Sequence, residues 1–288
     1  MAQSTRDIKR RIRGISNTKQ ITKAMELVST AKMRKSRIRL EKSRPYYNTV
    51  LNSISSILGD TRMNHPLITT REVKKSLYIV MTADRGLAGG YNSNINRLVE
   101  AESRKDKDSI SLIVVGLKGR DYFKNRGYHI AGEFFGITET PGFSDARQIG
   151  ELAMDLYLKG EVDEISLVYT KFISTLSYEP KILKLLPFNA IQNGTEEKLN
   201  KSLKVIEFEP SPEEALDYLI PKYVESTIFG ALIESSSSEQ AARRVAMESA
   251  TENAEEMIDE LNMSYNRARQ AAITMELTEI VAGAEALK

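Results

Sequence analysis

From Ser4 to Leu58 a single glycine, Gly14, and a single proline, Pro45, interrupt an otherwise helix-forming run. Ser4 and Asp7 stand at capping-box spacing, with Asp in place of the usual Glu, and Gly59 is placed to end the helix. Pro45 is expected to kink or divide it, because proline lacks the N–H and its ring crowds the preceding turn. At 1.5 Å per residue such a helix is on the order of 80 Å long, deeper than the core of any small domain. It requires an equally long partner.

The other end of the chain offers one. Ser211-Pro212-Glu213-Glu214 combines an N-cap serine, a proline at the first helical position and a glutamate that completes a capping box. Pro221 is the only proline after it. Ala250, Ala254, Met257, Leu261, Ser264, Ala268, Ala271, Met275, Thr278 and Ala282 recur at alternating steps of four and three, a heptad seam. Its small residues let backbones approach but bury little apolar area. On the first helix Ile8, Ile12 and Ile15 begin a seam that Lys19, Thr22, Glu26 and Ser29 continue poorly. Ile21, Met25 and Val28 form a second stripe rotated away from it, as expected of a helix touched by more than one partner. Charge is divided in the same way. Between Arg6 and Arg44 fourteen bases face three acids, and from Glu213 onward fifteen acids face six bases. Ends of opposite sign lie against each other or against different partners.

Between them the pattern changes. Leu77–Met81, Ile110–Val115 and Glu164–Tyr169 read as buried strands, and His129 lies in a possible short one. Helical stretches fall near Asn92–Ser103, Lys118–Asn125 and Ser144–Lys159. Lys181–Leu186 and Lys204–Phe208 could add strands at the far edge, with Asn193-Gly194 in the loop between them. Such alternation implies a parallel sheet. The expected fold is α/β with long helices: an antiparallel coiled coil of the terminal helices, 1–59 and 211–288, and a central Rossmann-like parallel-sheet domain, 74–210.

Little in the chain carries chemistry. It has no cysteine, which excludes disulfides, thiol catalysis and thiolate metal sites. No apolar run approaches the roughly 20 residues that span a bilayer, and no apolar segment follows the basic N-terminus as in a secretory signal. The loop Ala83-Asp84-Arg85-Gly86-Leu87-Ala88-Gly89-Gly90-Tyr91 sits where phosphate-cradling loops sit, yet it matches neither GxGxxG nor GxxxxGK[S/T] and reads as a structural turn. His65 and His129 are isolated and read as surface or packing residues. The basic first helix has no aromatic residue before Tyr46, which argues against nucleic acid.

Several runs bear a family likeness. Ile15-Ser16-Asn17-Thr18-Lys19-Gln20-Ile21-Thr22-Lys23-Ala24-Met25-Glu26-Leu27-Val28 resembles the N-terminal helix motif of the gamma subunits of F-type ATP synthases. Asn266 to Ala284 resembles their terminal signature, and Thr82 to Asn92 their central glycine motif. Tyr223 to Ser226 and Ser238 to Arg243 match further, in order along the whole length. Ala88 stands where many relatives have cysteine, and no cysteine-bearing insertion follows, so thiol control is not implied.

The resemblance implies a non-catalytic rotor shaft without a cofactor. The paired helices would enter a hexamer of alternating alpha and beta subunits. The α/β domain would stand as a foot on a ring of c subunits beside the epsilon subunit. A start directly at the helix points to a bacterial protein on the cytoplasmic face of the cell membrane, held there through its complex. By position in the matched motifs, Lys23 and Met25 are expected to touch the levers of the catalytic subunits, Arg269, Gln270, Thr274 and Glu276 to make polar contacts higher up, and Arg243 lower down. Two other classes compete: a nucleotide-binding α/β enzyme with helical dimerisation arms, and a coiled-coil adaptor. The missing P-loop counts against the first, and the terminal signature against the second.

Overall fold

A computed structural model describes residues 5–60, 65–103, 107–188 and 211–285. The chain divides into two compact units, one of residues Met1–Ser29 with Arg243–Lys288, the other Thr30–Ala242. Helices α1 (Thr5–Asp60) and α5 (Pro212–Glu285) contribute to both. Pro45 and Pro221 lie inside these helices, and neither divides its helix. Gly59 falls within the last turn of α1 rather than after it.

In the unit of 1–29 and 243–288 the two helices are antiparallel. Lys19 Nζ lies 2.6 Å from Glu255 Oε1, and Thr22 Oγ1 lies 2.7 Å from Thr251 Oγ1, so numbers rise on one helix as they fall on the other. Ile8, Thr22 and Ser29 are buried, and Ile12, Ile15, Lys19 and Glu26 half-buried, in steps of three and four. The polar residues that continue the seam poorly are therefore the seam. The stripe beside it faces outward: Ile21 is 60 % and Val28 54 % exposed, with Met25 half-buried.

On α5 the inward residues are Met247, Thr251, Ala254, Ile258, Leu261, Tyr265 and Ala268. Ala254, Leu261 and Ala268 belong to the expected seam, but Met257 (51 % exposed) and Ser264 do not face inward. The three shared residues are a heptad apart, and the position between them can be reached by three steps or by four. Thr251 takes the place given to Ala250 because its hydroxyl meets Thr22. Ala271, Met275, Thr278 and Ala282 are exposed, since the pairing places Thr5 opposite about Ala268 and α1 offers nothing further.

The second unit is a three-layer α/β domain. Its elements are β1 (Ser76–Met81), α2 (Tyr91–Glu102), β2 (Ile110–Val115), α3 (Leu117–Lys124), β3 (His129–Phe134), α4 (Phe143–Leu158), β4 (Glu164–Phe172) and β5 (Tyr178–Leu186). Strand order is β3-β2-β1-β4-β5, parallel except for β5, which pairs antiparallel with β4 through a hairpin. The sheet is thus mixed at one edge. The four parallel strands require crossover helices, whereas the short connection at 173–177 permits only an antiparallel return. One face packs Ile95, Val99 and Phe123 of α2 and α3 against Val80, Leu112 and Val114. The other packs Ile149, Tyr157, Ile54 and Tyr223, from α4, α1 and α5, against Ile79 and Leu167. The strand expected at Lys204–Phe208 and the loop at Asn193-Gly194 lie outside the described residues.

Candidate functional site

Strand order reverses between β1 and β4, and the crevice beyond their carboxyl ends is where doubly wound sheets hold ligands. The glycine-rich loop borders it, turned by Leu87 (φ 62°) and Gly89 (φ 53°). Its neighbours bind each other. Asn92 Oδ1 accepts from Ala83 N at 2.9 Å. The Asp84 carboxylate accepts from Leu117 N (3.2 Å), Gly136 N (3.0 Å) and Thr138 Oγ1 (3.0 Å). That carboxylate staples three segments and would repel a phosphate.

The crevice itself is filled by the chain. Ala242 of α5 packs against Ala83, Ala88 and Tyr91, while Ser235 and Ser238 bond the backbone of Thr170 at the end of β4. Small side chains let the helix seat where a nucleotide would otherwise lie. A cavity of about 800 Å³ lies at the amino ends of the strands, beside Lys74, Lys107, His129 and Asp163, which is the wrong end for that use. Two backbone N–H groups, of Lys74 and Lys75, hold the Asp163 carboxyl below the usual carboxylate range. Among the described residues no three His, Asp or Glu are arranged to hold a metal.

The histidines have packing roles. His65 is buried; its Nδ1 accepts from Leu67 N at 3.2 Å, which fixes the proton on Nε2, 3.0 Å from Asp217 Oδ1. His129 lies on β3, with Nδ1 3.2 Å from Ser111 Oγ.

The residues expected to touch partners are distributed along the helices. Lys23 bonds Glu26 one turn on at 3.0–3.2 Å, and Met25 is half-buried beside it. Arg243 is buried. Arg269, Gln270, Thr274 and Glu276 are exposed, beyond the end of the pairing, with Thr274 Oγ1 bonded to Gln270 O at 2.9 Å. At 1.5 Å per residue these four lie on the order of 30 Å along α5 from the level of Met25. The four are spread over two turns of exposed helix. Sequence reasoning passed over one polar cluster, the run Ser235 to Ser238, whose residues are at most 4 % exposed. Four consecutive serines inside a helix were the available signal, because serine favours caps and turns over helix interiors.

A long antiparallel helix pair and an α/β domain with its ligand crevice closed have counterparts among known proteins. The family model for ATP synthase matches residues 4–287. The ATP synthase gamma chain of Alkaliphilus metalliredigens is 56 % identical over 291 residues, covering all of both chains. This chain belongs to the ATP synthase gamma chains. A central-stalk chain of the Tetrahymena thermophila mitochondrial ATP synthase shares 29 % identity and a TM-score of 0.62, over 80 % of this chain and 99 % of that one. A chain of the Euglena gracilis mitochondrial enzyme shares the fold at TM-score 0.72 and 21 % identity, over 98 % and 94 %. The gamma chain here is a non-catalytic subunit and the rotor shaft of a membrane-associated ATP synthase. No helix among its described residues is long and apolar enough to cross a membrane.

Proposed function

We propose that this gamma chain couples a ring of c subunits to a head of alternating alpha and beta subunits at the cytoplasmic face of a bacterial membrane, with the epsilon subunit beside its α/β domain. In this reading 1–59 and 211–288 are the shaft helices and 74–210 the foot. The observation that carries it is the outer surface of α5. Ile273, Met275, Leu277, Ile280 and Val281 are 48–65 % exposed on a segment that α1 does not cover. Apolar surface of that extent on a single helix calls for a protein sleeve.

Lys23 and Met25 meet the levers of the catalytic subunits, Arg269, Gln270, Thr274 and Glu276 the upper sleeve, and Arg243 its lower part. Met25 suits a sliding contact, since a thioether packs without fixed directional bonds. Met25→Lys introduces a cation that can bond an acidic loop of a catalytic subunit. Each 1.4 kcal/mol of extra hold on one rotational state shifts its population about tenfold. ATP hydrolysis and ATP-driven ion pumping are measured on the same reconstituted vesicles. The expected outcome is fewer ions pumped per ATP with hydrolysis retained. An unchanged ratio removes Met25 from the coupling surface, and a chain that does not co-purify with P-loop subunits removes the assembly.

A further inference from the structure

Above the apolar core, α5 turns polar. Ala231, Leu232 and Ile233 are followed by Glu234, four serines, Glu239 and Gln240, and the serines are buried. Ser237 returns its hydroxyl to Ile233 O of its own helix at 3.0 Å. The other three reach outward. Ser235 Oγ accepts from Thr170 N (3.3 Å), and Ser238 Oγ donates to Thr170 O (3.1 Å). Ser236 Oγ donates to Glu139 O at 3.3 Å and lies 3.4 Å from Ser36 Oγ of α1.

The loop between β3 and α4 holds α1 as well. Lys32 Nζ bonds Glu139 Oε2 at 2.8 Å, and an Arg39 guanidinium nitrogen donates to Pro141 O at 2.6 Å. That loop is itself stapled to Asp84 through Gly136 and Thr138. The end of β4 and the β3–α4 loop therefore grip the two helices through hydrogen bonds, next to the apolar core.

Apolar packing and hydrogen bonding resist rotation differently. Burial is non-directional, so a helix can turn a little in an apolar groove while its buried area stays nearly constant. Hydrogen bonds weaken steeply outside a narrow range of distance and angle. A serine oxygen sits about 4 Å from the helix axis, so a turn of about 20° moves it by about 1.4 Å, enough to break the bond.

We propose that Ser235, Ser236 and Ser238, with Thr170, and Lys32 and Arg39, with the β3–α4 loop, form a torsional collar that fixes the rotational setting of α5 and α1 in the α/β domain. Torque applied to that domain then turns the helices and does not twist them within it. These are positioning residues, and the inference rests on the rotor function.

The test uses the assembled complex with its head fixed to a surface and a bead on the α/β domain. The angular width of the bead is recorded in a paused state, for wild type, for the Ser235→Ala/Ser238→Ala double variant, for Lys32→Met and for Lys32→Arg. Loss of the narrow distribution is expected in the double variant and in Lys32→Met, with wild-type width retained in Lys32→Arg. Thermal unfolding of the chain in the Lys32 variants, and ATP hydrolysis by the complex, should stay close to wild type. Lys32 is partly exposed, so its variants report even if the serine variant does not assemble. Widths equal to wild type in Lys32→Met overturn the collar, and so does broadening that Lys32→Arg shares. A wild-type complex in which hydrolysis drives no rotation defeats the rotor reading instead.

Discussion

Replacing Thr22 by valine should cost little, and replacing Thr251 as well should cost nothing more. The two hydroxyls lie 2.7 Å apart in the buried seam. Each also has a carbonyl on its own helix, Lys19 O at 3.0 Å from Thr22 Oγ1 and Met247 O at 2.8 Å from Thr251 Oγ1. Two protons serve three contacts, so the bond between helices forms only when one hydroxyl releases its own carbonyl. A buried hydrogen bond contributes about 1 kcal/mol net, and a valine methyl returns up to about 0.8 kcal/mol by burial. In Thr22→Val the remaining hydroxyl keeps Met247 O and its proton stays bonded, which places the loss at or below about 1 kcal/mol. Amide hydrogen exchange along 15–29 and 247–258 reads the opening of the pair directly. Protection should fall by no more than about fivefold in either single variant, and no further in the double. A loss above about 2 kcal/mol in one single variant, or losses that add in the double, would refute this accounting of protons.

The Glu255 carboxyl is held below the usual glutamate range by its hydrogen bond to Lys19 and by the charge of that ammonium. A depressed folded-state pKa contributes stability above the unfolded value that is lost as pH falls through the folded one, so protection of 247–258 should decline below about pH 4.5, and Glu255→Gln should flatten the decline. Ala254→Phe should destabilise the pair by about 1–3 kcal/mol, because Ala254 is buried in the seam, whereas Glu255→Gln at neutral pH should cost less; equal losses in urea unfolding would place the seam elsewhere. Gly116 has φ 94°, and a Cβ there would collide with the Thr82 carbonyl, so Gly116→Ala should lower the stability of the α/β domain by more than about 1 kcal/mol; unchanged thermal unfolding counts against that close approach.

The long helices and the alternation of the domain were legible because both rest on local rules. Capping at Ser211, the scarcity of Gly and Pro, and the apolar runs at Leu77 and Ile110 needed no tertiary information. What could not be read is where polar residues go when tertiary partners satisfy them. Thr22, Ser29 and Ser36 look like surface residues in sequence and are buried. Thr251 lost its place to Ala250 in the expected register for the same reason. The serine run at 235–238 carries no recognisable motif in the sequence, yet it is buried and helps close the crevice. The direction of β5 follows from the five-residue connection at 173–177, too short for the crossover a parallel strand would need. The residues proposed to face partners came from motif resemblance, and the structure spreads them along the helices.

The mixed patterning of the helix pair bears on how such an element holds together. An ordinary coiled coil buries leucine and isoleucine and exposes charge. Here Thr22, Ser29, Thr251 and Ala254 share the seam with Ile8, Ile12, Ile15, Met247, Ile258 and Leu261, while Ile21, Leu27, Val28 and Met257 are turned outward. The apolar contact between the helices is interrupted at its middle, where the Thr22 and Thr251 hydroxyls and the Lys19–Glu255 ion pair join them. Further apolar surface lies on the outside, where only a surrounding protein can recover its burial energy. Binding that covers such a surface stabilises the helices by mass action. If the outer apolar residues meet different neighbours in turn, stability is not tied to one fixed set of contacts. An apolar seam would make the pair stable alone, but it would leave a polar exterior that grips a sleeve through directional bonds, each of which must break when the helix turns.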